Sequence, residues 1–456
     1  MKILALKVRD ANIWVKCSIG MAIFWYVSLY PGRLDSDGSS ALLMLAEGKS
    51  TNWWTATYFW FLKITTLNGI IISLTSLVLL ISLYYSLYYF IWSIPLTSSR
   101  KSLTLFIICL TPFFGNFGVN ISHDVFTCSG ILLLTGYLTR LVQDNNSPPP
   151  RLSSLILATL FLSNSLTGIG ILVVIFCVLV IFFHKYFAVI LMSFLAITIF
   201  LATSIGISKN PIDMPMLPIL ADMKCVVQHP LVELSKTQKE TLFKIETEQT
   251  WSTPKTCSSI DAALSDFENL EVTKFDRKAI LKTYSELIME YPEIIIQTHL
   301  QRASVALPPP FFAGPRNMTD RNTNNPVGLG TNTALQSGSV VFHPSVDLEK
   351  FKLDIRFHRL LEGVALLPGF LMNQASWFWG WGGLWLWPIL GYVFFFLRAP
   401  TRKMRLIVLM PVITNHLILL VVGPVPSPRY VMSTIIIGLT FAITLSYELL
   451  DKKRVH

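Results

Sequence analysis

The chain has 456 residues, 52% of them hydrophobic and 14% charged, with a formal net charge of +10. Ordinary soluble domains carry about 25% charged residues, so a chain this poor in charge is not built as a soluble globule. The excess of lysine and arginine falls in short segments between apolar runs, where it sets membrane orientation; it does not mark a nucleic-acid partner.

Met1–Asp10 carries Lys2, Lys7 and Arg9 ahead of the apolar stretch Ile13–Tyr30. That stretch is long for a signal core and lacks a small-residue cleavage site. It therefore reads as a retained first span, with Lys16 snorkelling to the near surface. Runs of about 20 apolar residues can cross the hydrocarbon core as helices. Such runs predict ten spans, near 12–30, 67–95, 103–118, 124–142, 153–166, 169–184, 186–207, 376–397, 405–422 and 430–448. Lipid offers the backbone no hydrogen-bond partners, so each span is helical and the fold class is an all-α polytopic membrane protein. The fifth and sixth are short and meet within Ser163–Gly170, which leaves a hairpin and a re-entrant pair both open.

With the N-terminus in the cytoplasm, the inside segments collect fifteen Lys and Arg side chains. The short outside loops then carry Arg33, Lys49, Lys63 and Arg429. This bias predicts that both termini are cytoplasmic. The chain divides into an N-terminal transmembrane module, 1–207, with outer loops 31–66 and 119–124, an extracytoplasmic domain, 208–357, and a C-terminal transmembrane module, 358–456.

Residues 208–357 are polar and too long for a connector. Leu231–Glu248 and Asp276–Ala303 have helical spacing; in the second, Ile280, Tyr284, Leu287, Tyr291 and Ile294 recur at three- and four-residue intervals. The composition shifts to Pro, Gly, Asn and Thr between Pro308 and Ser345, as in an irregular loop or a lid. Cys225 and Cys257 are candidates for a disulfide if the segment is extracytoplasmic. Cys17, Cys109, Cys128 and Cys177 fall in spans as small core residues. Trp377, Phe378, Trp379, Trp381, Trp385 and Trp387 crowd the start of the eighth span, either as an interfacial belt or as a wall for a lipid chain or sugar ring.

The sequence holds no Walker A loop, dinucleotide glycine fingerprint, paired-cysteine zinc spacing or HExxH. What remains is a set of ionisable residues expected at one membrane face. Asp35 and Asp37 follow the first span, Asp124 opens the fourth within Asn120-Ile121-Ser122-His123-Asp124, and Arg429 opens the last. Carboxylates there suit removal of a hydroxyl proton, and arginine suits a phosphate through its planar fork of donors. Each also has a plain structural explanation. Asp35 and Asp37 fit a turn with Gly32 and Gly38, Asp124 fits a helix N-cap, and Arg429 fits a headgroup anchor. Asn415 and His416 lie inside the ninth span, where an ionisable side chain is a functional candidate or a neutral histidine bonded within the bundle.

The same positions carry a family likeness. Pro31-Gly32, followed by Asp37 and then Trp54, resembles the first outer loop of the GT-C superfamily of membrane glycosyltransferases, most of all bacterial families with a Pro-Gly-x-x-x-x-Asp pattern. Ser122-His123-Asp124-Val125 resembles their second acidic loop. Leu234–Trp251, and Tyr291-Pro292-Glu293-Ile294-Ile295 with Leu300 and Arg302, resemble their large extracytoplasmic region. Arg429-Tyr430 resembles the Arg-Tyr opening of a late span.

The resemblance implies a GT-C-like, inverting hexosyl- or pentosyltransferase in the cell's inner membrane, active on the extracytoplasmic face. It would take a sugar from a polyprenyl-phosphate donor to a glycan, a lipid-linked saccharide or a wall polymer. The implied base is an aspartate of the first outer loop. Spacing matches Asp37, and Asp35 is an extra carboxylate that leaves the choice open. Arg429 and Arg302 would hold the donor phosphate, and Asp124 would orient the acceptor or the base, or a divalent cation if one is used. His123, Trp53, Trp54 and Tyr430 would contact substrate or acceptor. Where relatives often place His-Pro after the tryptophan, this chain has Thr55-Ala56, which leaves that stretch without an assigned role. No cofactor is required. The rival readings are a transporter or flippase of lipid-linked saccharides, which wants charges within the spans, and an O-antigen ligase or polymerase, which wants more outer arginines. An acyltransferase would want a membrane histidine.

Overall fold

The structure is a computed structural model that describes residues 13–30, 32–34, 38, 41–42, 44–45, 55–67, 72–143, 152–182, 216–255, 257, 260–267, 276–307, 332–333, 381–397, 402–422 and 428–455. Within these, α-helices dominate. In chain order they are α1 (Ile13–Ser28), α2 (Ala56–Thr65), α3 (Ile72–Ser93), α4 (Ser98–Leu110), α5 (Pro112–Gly118), α6 (His123–Gln143), α7 (Leu152–Leu162), α8 (Leu166–Phe182) and α9 (Met216–Val227). Then come α10 (Lys236–Leu242), α11 (Glu248–Ser252), α12 (Ile260–Ala263), α13 (Arg277–Glu290), α14 (Pro292–Arg302), α15 (Gly382–Phe395), α16 (Arg402–Val422) and α17 (Met432–Val455). Two short 3-10 turns, Ser304–Ala306 and Pro428–Val431, complete the helical part. Strands β1 (Arg33–Leu34) and β2 (Asn332–Thr333) pair antiparallel, Arg33 opposite Thr333.

Among the described residues, four helices are long and apolar enough to cross a membrane, spanning Ile72–Ser93, His123–Gln143, Met404–Val422 and Arg429–Leu450. A fifth is reached if α4 and α5 are one span, although they are bent by 70°. The span expected over 103–118 is broken at Thr111–Pro112. Pro112 opens α5, and Thr111 before it is extended at φ −69°, ψ 138°, because proline disfavours helical backbone at the preceding residue. α1, α7, α8 and α15 are shorter apolar helices. The expected seventh span, 186–207, lies outside the described residues.

α6 is the hub of the bundle. It packs against α3, α7, α8, α16 and α17, and Val125 to Thr139 along it are buried. Small residues allow the close crossings, as expected between helices in lipid. A Cβ on Gly136 would lie 3.0 Å from the Phe90 Cα of α3, and one on Gly130 would lie 2.5 Å from the Leu162 Cγ of α7. With 21 residues, α6 is about 31 Å long at 1.5 Å per residue, which matches a hydrocarbon core. Asp124 stands in its first turn and Arg140 in its last. Around the Arg140 end, its guanidinium lies over Tyr89, Arg100 lies over Tyr447, and Lys101 donates to the Trp92 carbonyl at 3.1 Å. Bases that the sequence assigns to the inner face are thus gathered at one end of the bundle.

Residues 216–295 build a second core around Trp251, Leu220, Ile280 and Leu287. The Trp251 indole donates to the Leu242 carbonyl at 2.9 Å and meets the Phe267 ring edge-on. The helix expected over Leu231–Glu248 is shorter. Ser235 starts α10 through a capping box with Gln238, a strong local start signal, and α11 follows as a separate turn. The helical run over Asp276–Ala303 is two helices, because Pro292 cannot continue α13 and begins α14 instead. Buried Lys224 is satisfied by the carbonyls of Thr250, Trp251 and Thr253 at the end of α11.

Cys225 and Cys257 form a disulfide, with Cα atoms 6.0 Å apart and a sequence separation of 32. Closing a loop of that length removes about 3–4 kcal/mol of unfolded-chain entropy on a chain-entropy estimate. Cys225→Ser with Cys257→Ser is therefore expected to lower the resistance of residues 216–302 to proteolysis under denaturant, and unchanged resistance would mean that the bond adds no stability. The tryptophans of the eighth span divide. Trp381 and Trp385 are buried, and the Trp381 indole donates to the Leu307 carbonyl at 2.7 Å, while Trp387 is exposed. Trp387 alone of these three fits an interfacial belt; Trp377, Phe378 and Trp379 lie outside the described residues.

Candidate functional site

The N-terminus of α6 collects the polar groups. The positive end of a helix dipole favours an anion in the first turn, and Asp124 occupies that turn while buried. The Ser122 hydroxyl donates to Asp124 Oδ2 at 3.3 Å and accepts from the Asp124 amide. Ser122 takes the capping role that the sequence offered to Asp124, which leaves the carboxylate facing inward. His123 Nε2 stands 3.5 Å from Asp124 Oδ1, and the His123 ring is packed edge-on against Tyr58 of α2.

Arg429 arrives from the other end of the chain. Its Nε is 3.5 Å from Asp124 Oδ2, an ion pair longer than a good hydrogen bond. Its guanidinium lies over the Tyr430 ring, and Nη2 donates to the Tyr430 hydroxyl at 2.7 Å. Asn415, two turns before the end of α16, fixes this segment by donating to the Tyr430 carbonyl at 2.9 Å. A cleft is lined by Asp124, Thr127, Thr167, Asn415, Arg429 and Tyr430, with Cys128, Ile131, Leu419 and Ser433 around them. The break between α7 and α8 contributes as well. Ser163, Asn164 and Ser165 are buried, and the Ser165 and Thr127 hydroxyls are 2.6 Å apart. The α7–α8 pair thus brings a polar elbow up to Thr127 beside the cleft.

The segment Gly32–Leu34, just after α1, docks beside the same helix end. The Arg33 amide donates to the Val119 carbonyl at 3.0 Å, and the Ile121 amide donates to the Arg33 carbonyl at 2.8 Å. Buried Arg33 also donates through Nη1 to Asn116 Oδ1 at 2.5 Å. Gly32 permits the approach. Its φ is +134°, and a Cβ there would lie 2.7 Å from the Ser76 Cβ, so both the backbone conformation and the space demand glycine. The segment leading into the acidic loop therefore runs beside the one leading into Asp124. Asp35 and Asp37, Trp53 and Trp54 lie outside the described residues.

Four of the residues expected at the site, His123, Asp124, Arg429 and Tyr430, are brought together. Arg302 is not with them. It is fully buried in the second core and pairs with Asp222, and the Tyr284 hydroxyl and His299 Nδ1 reach Asp222 Oδ2 at 2.9 and 3.1 Å. Its charge is opposed by Asp222, so the donor-phosphate role expected for Arg302 requires that pair to open. His416 reads as the satisfied histidine. Nδ1 is 2.7 Å from the Ala306 carbonyl, which can only accept, and Nε2 is 2.9 Å from the Thr434 hydroxyl. A neutral ring protonated on Nδ1 makes both bonds. Sequence reasoning did not single out Arg33, Tyr58, Thr127 or Ser165 for the site; an arginine next to Pro-Gly and hydroxyls one helical turn beyond Asp124 were the available signals.

An opposed carboxylate and guanidinium in a buried cleft can exchange partners with an incoming anion. The Thr127 and Thr167 hydroxyls and the Asn415 amide line the same small cavity. Among the described residues, no group of three or more His, Cys, Asp or Glu side chains is placed to hold a metal ion. No protein-family model, curated protein or solved structure matches this chain.

Proposed function

We propose that this chain is a GT-C-type membrane glycosyltransferase of about ten spans, moving a sugar from a polyprenyl phosphate to a hydroxyl acceptor at the extracytoplasmic face of the inner membrane. The observation that carries the reading is the meeting of Asp124 and Arg429 at one end of α6, with the basic residues gathered at the other. In this scheme the acceptor hydroxyl gives its proton to Asp37 or Asp35. The oxygen attacks the anomeric carbon from the face opposite the phosphate. The bond from that carbon to the phosphate oxygen breaks, and the lipid phosphate leaves with the electron pair. Arg429 takes the charge of the departing phosphate, because a guanidinium in a cleft screened from water stabilises it far more than one in bulk solvent. Asp124 holds Arg429 while the donor is absent and orients the acceptor once the donor is bound.

Charges in the long described spans sit within eight residues of their ends, which favours an enzyme over a transporter that needs charges along its path. The purified full chain, incubated with a panel of polyprenyl-phosphate sugars, is expected to release lipid phosphate from at least one. Asp37→Asn, with Asp35 intact, is expected to lower that release by about 10³-fold, in the range for a lost general base with its positioning. Full activity in that variant moves the role to Asp35. Absence of release across the panel from folded protein favours a flippase or a ligase instead.

A further inference from the structure

His299 stands outside the cleft and is used by nothing in that mechanism. It lies on α14 and touches two elements that sequence reasoning keeps apart. Nδ1 is 3.1 Å from Asp222 Oδ2 on α9, and Nε2 is 2.6 Å from the Leu420 carbonyl near the end of α16. Asp222 carries the charge that pairs with Arg302, so its Oδ2 is an acceptor, and a backbone carbonyl is never anything else. Both ring nitrogens must therefore donate, and only the imidazolium has two N–H groups. His416, one turn away on α16, needs no such charge, because a hydroxyl can donate to it.

We propose that His299 is a protonation-dependent clasp, in which the imidazolium ties the extracytoplasmic helices to the end of α16 and the neutral ring lets that tie go. The groups facing it are Asp222 from α9, Tyr284 through its bond to the same carboxylate oxygen from α13, and Arg302 from its own helix; α16 presents the Leu420 carbonyl. The hydrogen bond to Asp222 raises the His299 pKa above its ordinary value, against the opposing effects of burial and Arg302. A histidine raised in the docked state contributes stability that is complete below its undocked pKa and is lost as pH rises through the docked one. The clasp is thus closed on the acid side of the raised His299 pKa and opens as pH rises through it. Two further ties, His416 to the Ala306 carbonyl and Trp381 to the Leu307 carbonyl, do not depend on a charge. Opening therefore loosens the α14 end of the junction and leaves the chain attached. The consequence reaches the cleft, since Leu419 and Asn415 of α16 line it.

Histidine-selective 15N labelling of the full chain in nanodiscs reads the ring directly, with His299→Gln used to assign the signal. Two protonated ring nitrogens are expected on the acid side of a titration that lies above that of a free imidazole. A ring that titrates at or below the pH of a free imidazole overturns the proposal. Hydrogen exchange across residues 292–307 is expected to quicken at least tenfold through the same titration, and to be fast and independent of that titration in His299→Gln. Wild-type exchange that follows only the intrinsic pH dependence of amide chemistry, with a charged ring, also overturns the clasp. Neither readout involves sugar transfer, so the outcome is independent of the proposed activity.

Discussion

Replacing Arg429 with alanine is expected to lower release of lipid phosphate by about 10²- to 10³-fold, roughly 3–4 kcal/mol of transition-state stabilisation, the range seen when one preorganised donor is removed from a developing anion. Arg429 is suited to that role by position. It sits on a 3-10 turn at the start of the last span, is held by Tyr430, and faces a carboxylate that a phosphate can displace. The loss should fall mainly in kcat, because the charge on the phosphate grows as the bond to the sugar breaks. Arg429→Lys should recover part of the rate, since it keeps the charge and loses the fork. Asp124→Asn is expected to act in the opposite sense on anion binding. With the competing carboxylate gone, Arg429 should hold polyprenyl phosphate more tightly, by about tenfold or 1.4 kcal/mol, while transfer slows through product retention. A wild-type rate in Arg429→Ala would remove this residue from the mechanism. Weaker product binding in Asp124→Asn would mean that the carboxylate contacts the ligand and does not compete with it.

Asp222→Ala is expected to cost about 3–5 kcal/mol in the core built by α9 to α14, because it strands the fully buried Arg302 guanidinium and breaking one side of a buried ion pair leaves an uncompensated charge. Hydrogen exchange in α9 and α14 should quicken by about 10²-fold or more, each 1.4 kcal/mol being a factor of ten. Arg302→Met is expected to cost less. The Asp222 carboxylate then keeps the Tyr284 hydroxyl and the His299 imidazolium, and the methionine fills much of the space. The order of the two effects is the diagnostic. If Arg302→Met proves the more damaging, Asp222 is not the hub of the cluster. If Arg302→Met leaves the domain intact and abolishes donor binding, the phosphate role of Arg302 returns.

The disagreement over Arg302 shows where sequence reading runs out. The Tyr291–Arg302 stretch places an arginine near the expected outer face, and a sequence gives no means of telling that Asp222, eighty positions earlier, neutralises it. Burial and pairing depend on how α9, α13 and α14 fold against one another. The break at Thr111–Pro112 was different in kind, since a pre-proline restriction is local and legible in the chain. The capping box at Ser235 and the helix start at Pro292 were local as well, and the smooth hydrophobic periodicity across them hid both.

The sequence by itself determined that this is a helical membrane protein, because the lack of charge over long apolar runs leaves the backbone no other way to satisfy its hydrogen bonds in lipid. It also determined which residues carry charge near the span ends, since periodicity and the bias of lysine and arginine are properties of the chain alone. Only the tertiary structure decided that Asp124 and Arg429 share one cleft and that the α7–α8 elbow comes up to Thr127 beside it. It alone decided that His416 is satisfied while neutral and that His299 lies between the Asp222 carboxylate and the Leu420 carbonyl. The reason is the same in each case: a side chain's protonation and partners are set by what folding places within about 3 Å of it, and those neighbours come from segments far apart in the sequence.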